Sequence, residues 1–244
     1  MPQADTPPEP PQAAPRAAPR AAPPDPAPPP SEDAGAPRPG LDAIGLRLGT
    51  DKSSRHHDFL RLYESFLAPL RDRPLRILEI GVWAGESLRT WAEYFPHARV
   101  VGADINPAAA QHAGGRIAVE VADQSDPAQL AALSAAHGPF DLVIDDGSHV
   151  WTHQILTLRT LLPSVVPGGF YVVEDIDTSY GTLAAQYNGG ARVSAAEYLK
   201  AMSDYLLGDR WTDLDAEPDA FVRAYARRLD FIALARRTAI LKLR

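Results

Sequence analysis

Two acidic clusters about thirty residues apart each close an apolar run of the chain. The first, Asp145-Asp146-Gly147-Ser148-His149, follows Phe140-Asp141-Leu142-Val143-Ile144. The second, Glu174-Asp175, follows Gly168-Gly169-Phe170-Tyr171-Val172-Val173. Short apolar runs bounded by polar turns read as buried strands. If these two are neighbours in one parallel sheet, they lie about 4.8 Å apart. Their C-terminal ends then bring carboxylates and an imidazole onto the rim where open α/β sheets bind ligands. Carboxylates crowded in this way call for a hard cation, Mg²⁺ or its substitute Mn²⁺, to offset their repulsion. Asp146, Glu174 and Asp175 are the candidate ligands, with positions left open for substrate oxygens. His149, three residues past Asp146, carries the side chain that exchanges protons near neutral pH and is the candidate base. His153, a helical turn further on, is the second choice. Read singly, Asp146 and Ser148 also suit helix caps, and Glu174-Asp175 ordinary loop acids; the pairing of the two clusters is what points to a metal.

Elements that place these residues alternate strand and helix, the pattern of a parallel sheet covered on both faces. Leu75 to Ile80 reads as the first strand, Glu86 to Tyr94 as the helix after it, and Arg99 to Ala103 as a second strand ending at Asp104. Arg116 to Val121 is a third strand, ending at Asp123, and Pro127 to Ala136 is helical. The fourth strand closes at Asp145, a helix runs near Thr152 to Leu162, and the fifth strand closes at Glu174. Thr178 to Gly190, rich in Gly, Tyr and Asn, reads as a mobile lid beside the site. Ala195 to Leu207 and Pro218 to Ala226 look helical. Arg228 to Ala233 and Thr238 to Leu243 form a closing hairpin at the sheet edge, turning at Ala235-Arg236-Arg237, its charged flanks guarding against edge-to-edge pairing. The fold class is α/β, a Rossmann-like and mostly parallel sheet of seven strands with a C-terminal antiparallel hairpin.

Glycines between the first strand and its helix, Gly81 and Gly85, let backbone approach a ligand without an intervening Cβ. Their G-x-x-x-G spacing is not the G-x-G-x-x-G of dinucleotide enzymes. Asp104, about twenty residues on, ends the second strand, where a carboxylate accepts from ribose hydroxyls. Asp123 and Gln124 end the third, where an adenine edge would be read. Glu79, an acid just before the glycines, disfavours a diphosphate and suits a cationic ligand such as S-adenosylmethionine. The competing explanation is that Gly81 and Gly85 serve only tight helix–strand packing. With a sulfonium methyl donor on one side and a metal on the other, the chemistry is alkylation of a hydroxyl. A hydroxyl needs a Lewis acid, a base and in-line aim before it attacks.

The bulk numbers set bounds. Residues 1–40 hold fifteen of the 24 prolines and no aromatic or aliphatic residue larger than Ala except Met1. Such a segment cannot bury enough surface to offset its ordering entropy and reads as a disordered Pro/Ala-rich tail. It has neither the apolar core of a signal peptide nor the acid-poor bias of a transit peptide. Residues 41–244 suffice for one well-buried domain. Zero cysteines exclude disulfides, thiolate nucleophiles and zinc–thiolate sites. A net charge of −7 argues against a general nucleic-acid binder. No apolar run approaches a membrane span, so the expectation is a cytoplasmic protein.

Gly49-Thr50-Asp51-Lys52, Leu78-Glu79-Ile80-Gly81, the Asp-Asp-Gly-Ser-His run at 145–149, and Glu174-Asp175 followed by Thr178-Ser179-Tyr180 resemble the metal-dependent sugar O-methyltransferases of natural-product pathways. The nearest types are the mycinamicin VI and demethylmacrocin O-methyltransferases, with cephalosporin-pathway enzymes more distant. The resemblance spans roughly residues 45–244. It implies a class I methyltransferase fold, S-adenosylmethionine and Mg²⁺ as cofactors, and methylation of a sugar hydroxyl on a glycosylated metabolite. A homo-oligomer is expected, with neither nucleic acid nor membrane as partner. Asp146, Glu174 and Asp175 would ligate the metal and His149 would be the base. Gly81, Ser87, Asp104, Asp123 and Asp145 would surround the cofactor, with Thr50, Asp51 and Lys52 closing over it. Asp177 and Tyr180 would face the substrate. The sequence departs from the family where Asp177 replaces the usual His, and where the Pro/Ala stretch stands in place of a folded N-terminal auxiliary domain. Rival readings are a metal-dependent catechol or phenol methyltransferase, a non-catalytic cofactor-binding partner in a biosynthetic complex, and a nicotinamide oxidoreductase, which the glycine spacing disfavours.

Overall fold

A computed structural model of the chain describes residues 38–208 and 219–244. The expected tail lies, up to residue 37, outside the described residues, as does Pro218 of the expected last helix. Strands alternate between two sets of side chains, and the alternation sorts the core. In β1 (Arg76–Ile80), β2 (Arg99–Asp104), β4 (Phe140–Asp145), β5 (Val165–Val173) and β7 (Thr238–Leu243) successive residues point to opposite faces. Ile77, Val100, Leu142, Ile144, Phe170, Val172 and Ile240 go to one side, where they meet α1 (Leu41–Leu48), α2 (Phe59–Leu67) and α3 (Glu86–Tyr94). Leu78, Val101, Val143, Tyr171, Val173 and Leu241 go to the other, against α4 (Pro127–His137), α5 (Trp151–Leu161) and α7 (Ala195–Leu207). Strands covered on both faces are mainly apolar, and the central residues of these strands are so, with Glu79 of β1 the buried exception.

The sheet has seven strands in the order β3-β2-β1-β4-β5-β7-β6, where β3 is Ile117–Val121 and β6 is Leu229–Ala235. All neighbours from β3 to β5 are parallel, and β7 runs antiparallel to both β5 and β6. β4 and β5, the strands that end in the two acidic clusters, are adjacent, with Asp145 opposite Val173. The order reverses between β1 and β4, and at such a switch point the loops diverge and leave a crevice above the strand ends. The segment expected as a lid, Thr178 to Gly190, takes in the end of a 3₁₀ turn, Ile176–Ser179, and a short helix, α6 (Leu183–Tyr187). A further helix, α8 (Ala220–Tyr225), lies within the range expected for it. No helix among the described residues is long and apolar enough to cross a membrane.

Candidate active site

The crevice at the switch point is a cavity of about 440 Å³, within the range of small-molecule sites. Its floor is the turn from β1 to α3. Gly81 has φ +91° and donates its N–H to Ala103 O at 2.8 Å, and the Asp146 carbonyl occupies the place a Cβ would fill. Asp104, at the end of β2, accepts from Val82 N–H at 2.8 Å, Trp83 N–H at 3.2 Å and Asn106 N–H at 2.8 Å. The carboxylate thus ties two loops together at the cavity wall.

Of the residues expected at a cofactor, Thr50, Asp51, Lys52, Gly81, Ser87, Asp104, Asp123 and Gln124 line this cavity. Glu79, Gly85 and Asp145 stand behind the wall. Glu79 and Asp145 are fully buried, and a Cβ on Gly85 would meet the His112 ring, so this glycine serves packing. Glu79 accepts from the Trp91 indole at 2.9 Å. Burial pushes its carboxyl up to about 7, with the Lys52 ammonium pulling the other way. Burial also pushes Asp145 up to about 8, against the opposing pull of the Gly147 and Gln124 hydrogen bonds. Gln124 donates to Asp145 Oδ1 at 2.6 Å and accepts from Ser148 N–H at 2.9 Å. Both ends of its amide are engaged, so it braces the β4 end.

The acidic rim adjoins this floor. Ligand atoms of Asp146, His149 and Asp175 all lie within 4.8 Å of one another, and all three residues line the cavity. His149 precedes α5, with φ +58°. Its Nε2 is 3.6 Å from Asp175 Oδ2, and Nδ1 has no partner among the described residues. His153 shares a 2.8 Å hydrogen bond with the Ser148 hydroxyl. Glu174 is turned away from the rim: its Oε1 accepts from Tyr63 OH at 2.9 Å and its Oε2 from Lys52 Nζ at 2.7 Å. Lys52 also pairs with Asp146 Oδ2 and, at 3.3 Å, with Glu79 Oε1. Burial alone would lower the Lys52 pKa, but the carboxylates outweigh it and hold the ammonium protonated well above its ordinary range.

Arg237, which the sequence shows only as part of a turn, belongs to the same constellation. Its guanidinium donates to Asp175 Oδ1 at 2.5 Å and lies 3.1 Å from Asp177 Oδ2. Asp177 is therefore an ion-pair partner at the hairpin, off the cavity wall. Tyr180 is half exposed, and its hydroxyl accepts from Lys200 Nζ at 2.9 Å. Among the described residues five non-glycines have positive φ, and four of them, Trp83, His149, Asp175 and Arg237, belong to this site. Such backbone strain persists where function requires it.

Comparison with known proteins bears on what this site is for. Residues 78–176 match a family described as a methyltransferase domain. The 8-demethyl-8-alpha-L-rhamnosyl tetracenomycin-C 2'-O-methyltransferase of Streptomyces olivaceus is 43% identical over 176 residues, 69% of this chain and 46% of that protein. The mycinamicin VI 2''-O-methyltransferase of Micromonospora griseorubida is 38% identical over 154 residues, 60% of this chain and 38% of that protein. Among solved structures, the MycE methyltransferase from the mycinamycin biosynthetic pathway, in complex with Mg, SAH and mycinamycin VI, superposes with a TM-score of 0.73 at 30% identity. That match covers 86% of this chain and 56% of MycE. The chain spans about half the length, or less, of the relatives it matches. Sheet order, switch-point cavity and these matches agree on a class I methyltransferase fold, with a methyltransferase domain over residues 78–176.

Proposed function

We propose that this protein is an S-adenosylmethionine-dependent, Mg²⁺-dependent O-methyltransferase acting on a sugar hydroxyl of a glycosylated secondary metabolite. The observation that carries the reading is the meeting of two half-sites at one cavity. A glycine turn and the acids of β2 and β3 form its floor, and Asp146, His149 and Asp175 converge within 4.8 Å on its rim. The relatives, named for methylating sugars on polyketide scaffolds, support the acceptor class.

The donor set fits a hard divalent ion, since it is rich in carboxylate oxygen. Asp146 and Asp175 would hold it, and Glu174 would join them only by turning from Lys52 and Tyr63. When bound, such an ion supplies Lewis-acid stabilisation to an oxygen that loses its proton. The chain's own residues do the remaining work. Asp104 and the Val82–Trp83 amides fix the turn that a nucleoside would rest on. His149 Nε2 lies too far from Asp175 for a direct hydrogen bond, so it is free to take the proton of an acceptor hydroxyl presented at the rim. Arg237 holds the Asp175 carboxylate in place.

The test is calorimetric titration of S-adenosylmethionine in Mg²⁺ and in EDTA, followed by mass-spectrometric assay of methyl transfer to glycosides and phenols. Cofactor binding, a separate Mg²⁺ heat lost in Asp146→Asn, and turnover on a deoxysugar are the expected results. Transfer to catechols alone moves the acceptor to the phenol class. Absence of cofactor binding under both conditions removes the enzymatic reading.

A further inference from the structure

We infer that Lys52 is a displaceable counter-cation of the acidic rim: its ammonium holds Asp146 and Glu174 together without a divalent ion and gives up both when one binds. The inference rests on the metal reading above and concerns how this chain prepares that site.

Three observations carry it. First, among the described residues Lys52 is the only cation paired with either Asp146 or Glu174, and its side chain is 1% exposed. One ammonium with three hydrogens faces three carboxylates. Secondly, its hydrogen bonds use lone pairs on two of the three proposed ligands, Asp146 Oδ2 and Glu174 Oε2. A hard divalent ion needs those same oxygens, and two cations against one oxygen repel strongly in a dry pocket. Thirdly, the ammonium has a place to go. Glu79 Oε1 lies 3.3 Å from Nζ, deeper beneath β1, and has no hydrogen bond of its own among the described residues. The Lys52 backbone is pinned, since its carbonyl accepts from Phe59 N–H at 2.9 Å and Leu60 N–H at 3.2 Å. Only the flexible four-carbon stem has to move.

A purely structural lysine and a displaceable one differ in how the divalent ion affects a variant. The experiment uses the full chain with Lys52→Met, measuring the Mg²⁺ Kd by calorimetry and Tm in EDTA and in Mg²⁺. In EDTA the variant is expected to melt lower than the parent, because its buried carboxylates have lost their cation. Mg²⁺ should restore most of that difference and bind at least ten times more tightly than to the parent, since nothing competes. An equal loss of Tm in EDTA and Mg²⁺, or an unchanged or weaker Kd, overturns the inference and leaves Lys52 a fixed structural ion pair. If Lys52→Met folds only in Mg²⁺, the ion is replacing the ammonium and the inference holds. If it folds in neither, Glu79→Gln decides. Closing the retreat should weaken Mg²⁺ binding about tenfold, and an unchanged Kd refutes displacement. Mg²⁺ binding to the parent that Lys52→Met leaves unaltered defeats this inference alone. Absence of Mg²⁺ binding in both proteins defeats the metal reading, and this inference with it.

Discussion

Glu79 sits where water does not reach, and its ionisation links the site to stability. Its folded-state pKa of about 7 lies above its ordinary value of 4.5, chiefly because burial penalises the charge. A group raised in this way stabilises the fold fully below 4.5, and the contribution is lost as pH rises through about 7. In EDTA, Tm is therefore expected to decline between pH 5 and pH 8, and to decline less in Glu79→Gln. Equal slopes would show that Lys52 keeps Glu79 ionised throughout. At this scale the sequence was most legible where neighbouring residues share a strand end: Asp146, His149 and Asp175 all reach the rim. It was least legible where partners lie far apart in the chain. Nothing near Glu174 signals that Tyr63 and Lys52 will turn its carboxylate inward. Arg237 looks like a surface arginine until β7 is placed beside β5. His149 itself invites a direct test. His149→Ala should lose turnover while keeping cofactor affinity within about twofold, and near-normal turnover would remove it as the base.

Elements matter here through the turns that join them. The β1–α3 turn passes so close to the end of β4 that a Cβ on Gly81 would lie 2.1 Å from the Asp146 carbonyl oxygen. Gly49, after α1, has a similar φ of +87°, yet nothing lies within 4 Å of the place its Cβ would take. The two positions separate backbone strain from collision. Gly49→Ala should cost only the left-handed conformation, about 1–2 kcal/mol, or a Tm loss of a few degrees for a domain of this size. Gly81→Ala adds the collision with backbone, so its Tm loss should be at least twice as large, accompanied by weaker S-adenosylmethionine binding. Similar losses in differential scanning calorimetry would mean that the loop yields and that the close approach is not required. From Leu75 onward most strands and helices were readable to within a residue or two because apolar runs and their capping turns are local signals, whereas α1 and α2 were not read. The short helix α6 was not, since Leu183–Tyr187 packs no fully buried side chain and so leaves no periodic pattern.

The whole molecule places this site by strand order, which alternation alone does not reveal. Only the reversal between β1 and β4 brings the glycine turn and the first acidic cluster to one crevice. That architecture also bears on residues 1–37. Described residues between Leu41 and Leu243 build two core clusters, and described residues between Thr50 and Asp175 line the cavity. Pro39 is tied to the domain through its carbonyl, which accepts from Arg71 at 2.8 Å. A Pro- and Ala-rich stretch offers little apolar surface that could add to those clusters, and burial is what stabilises a fold. Removing residues 1–37 while retaining Pro39 is therefore expected to leave Tm within about 2 °C, a change of under about 1 kcal/mol, and S-adenosylmethionine affinity within twofold. Thermal melts and calorimetry on the shortened chain check both. A Tm drop of several degrees would mean that the N-terminal stretch contributes to the fold, and that the domain cannot be taken to begin at residue 41. A loss of acceptor turnover with Tm and cofactor affinity intact would instead assign the stretch to substrate handling.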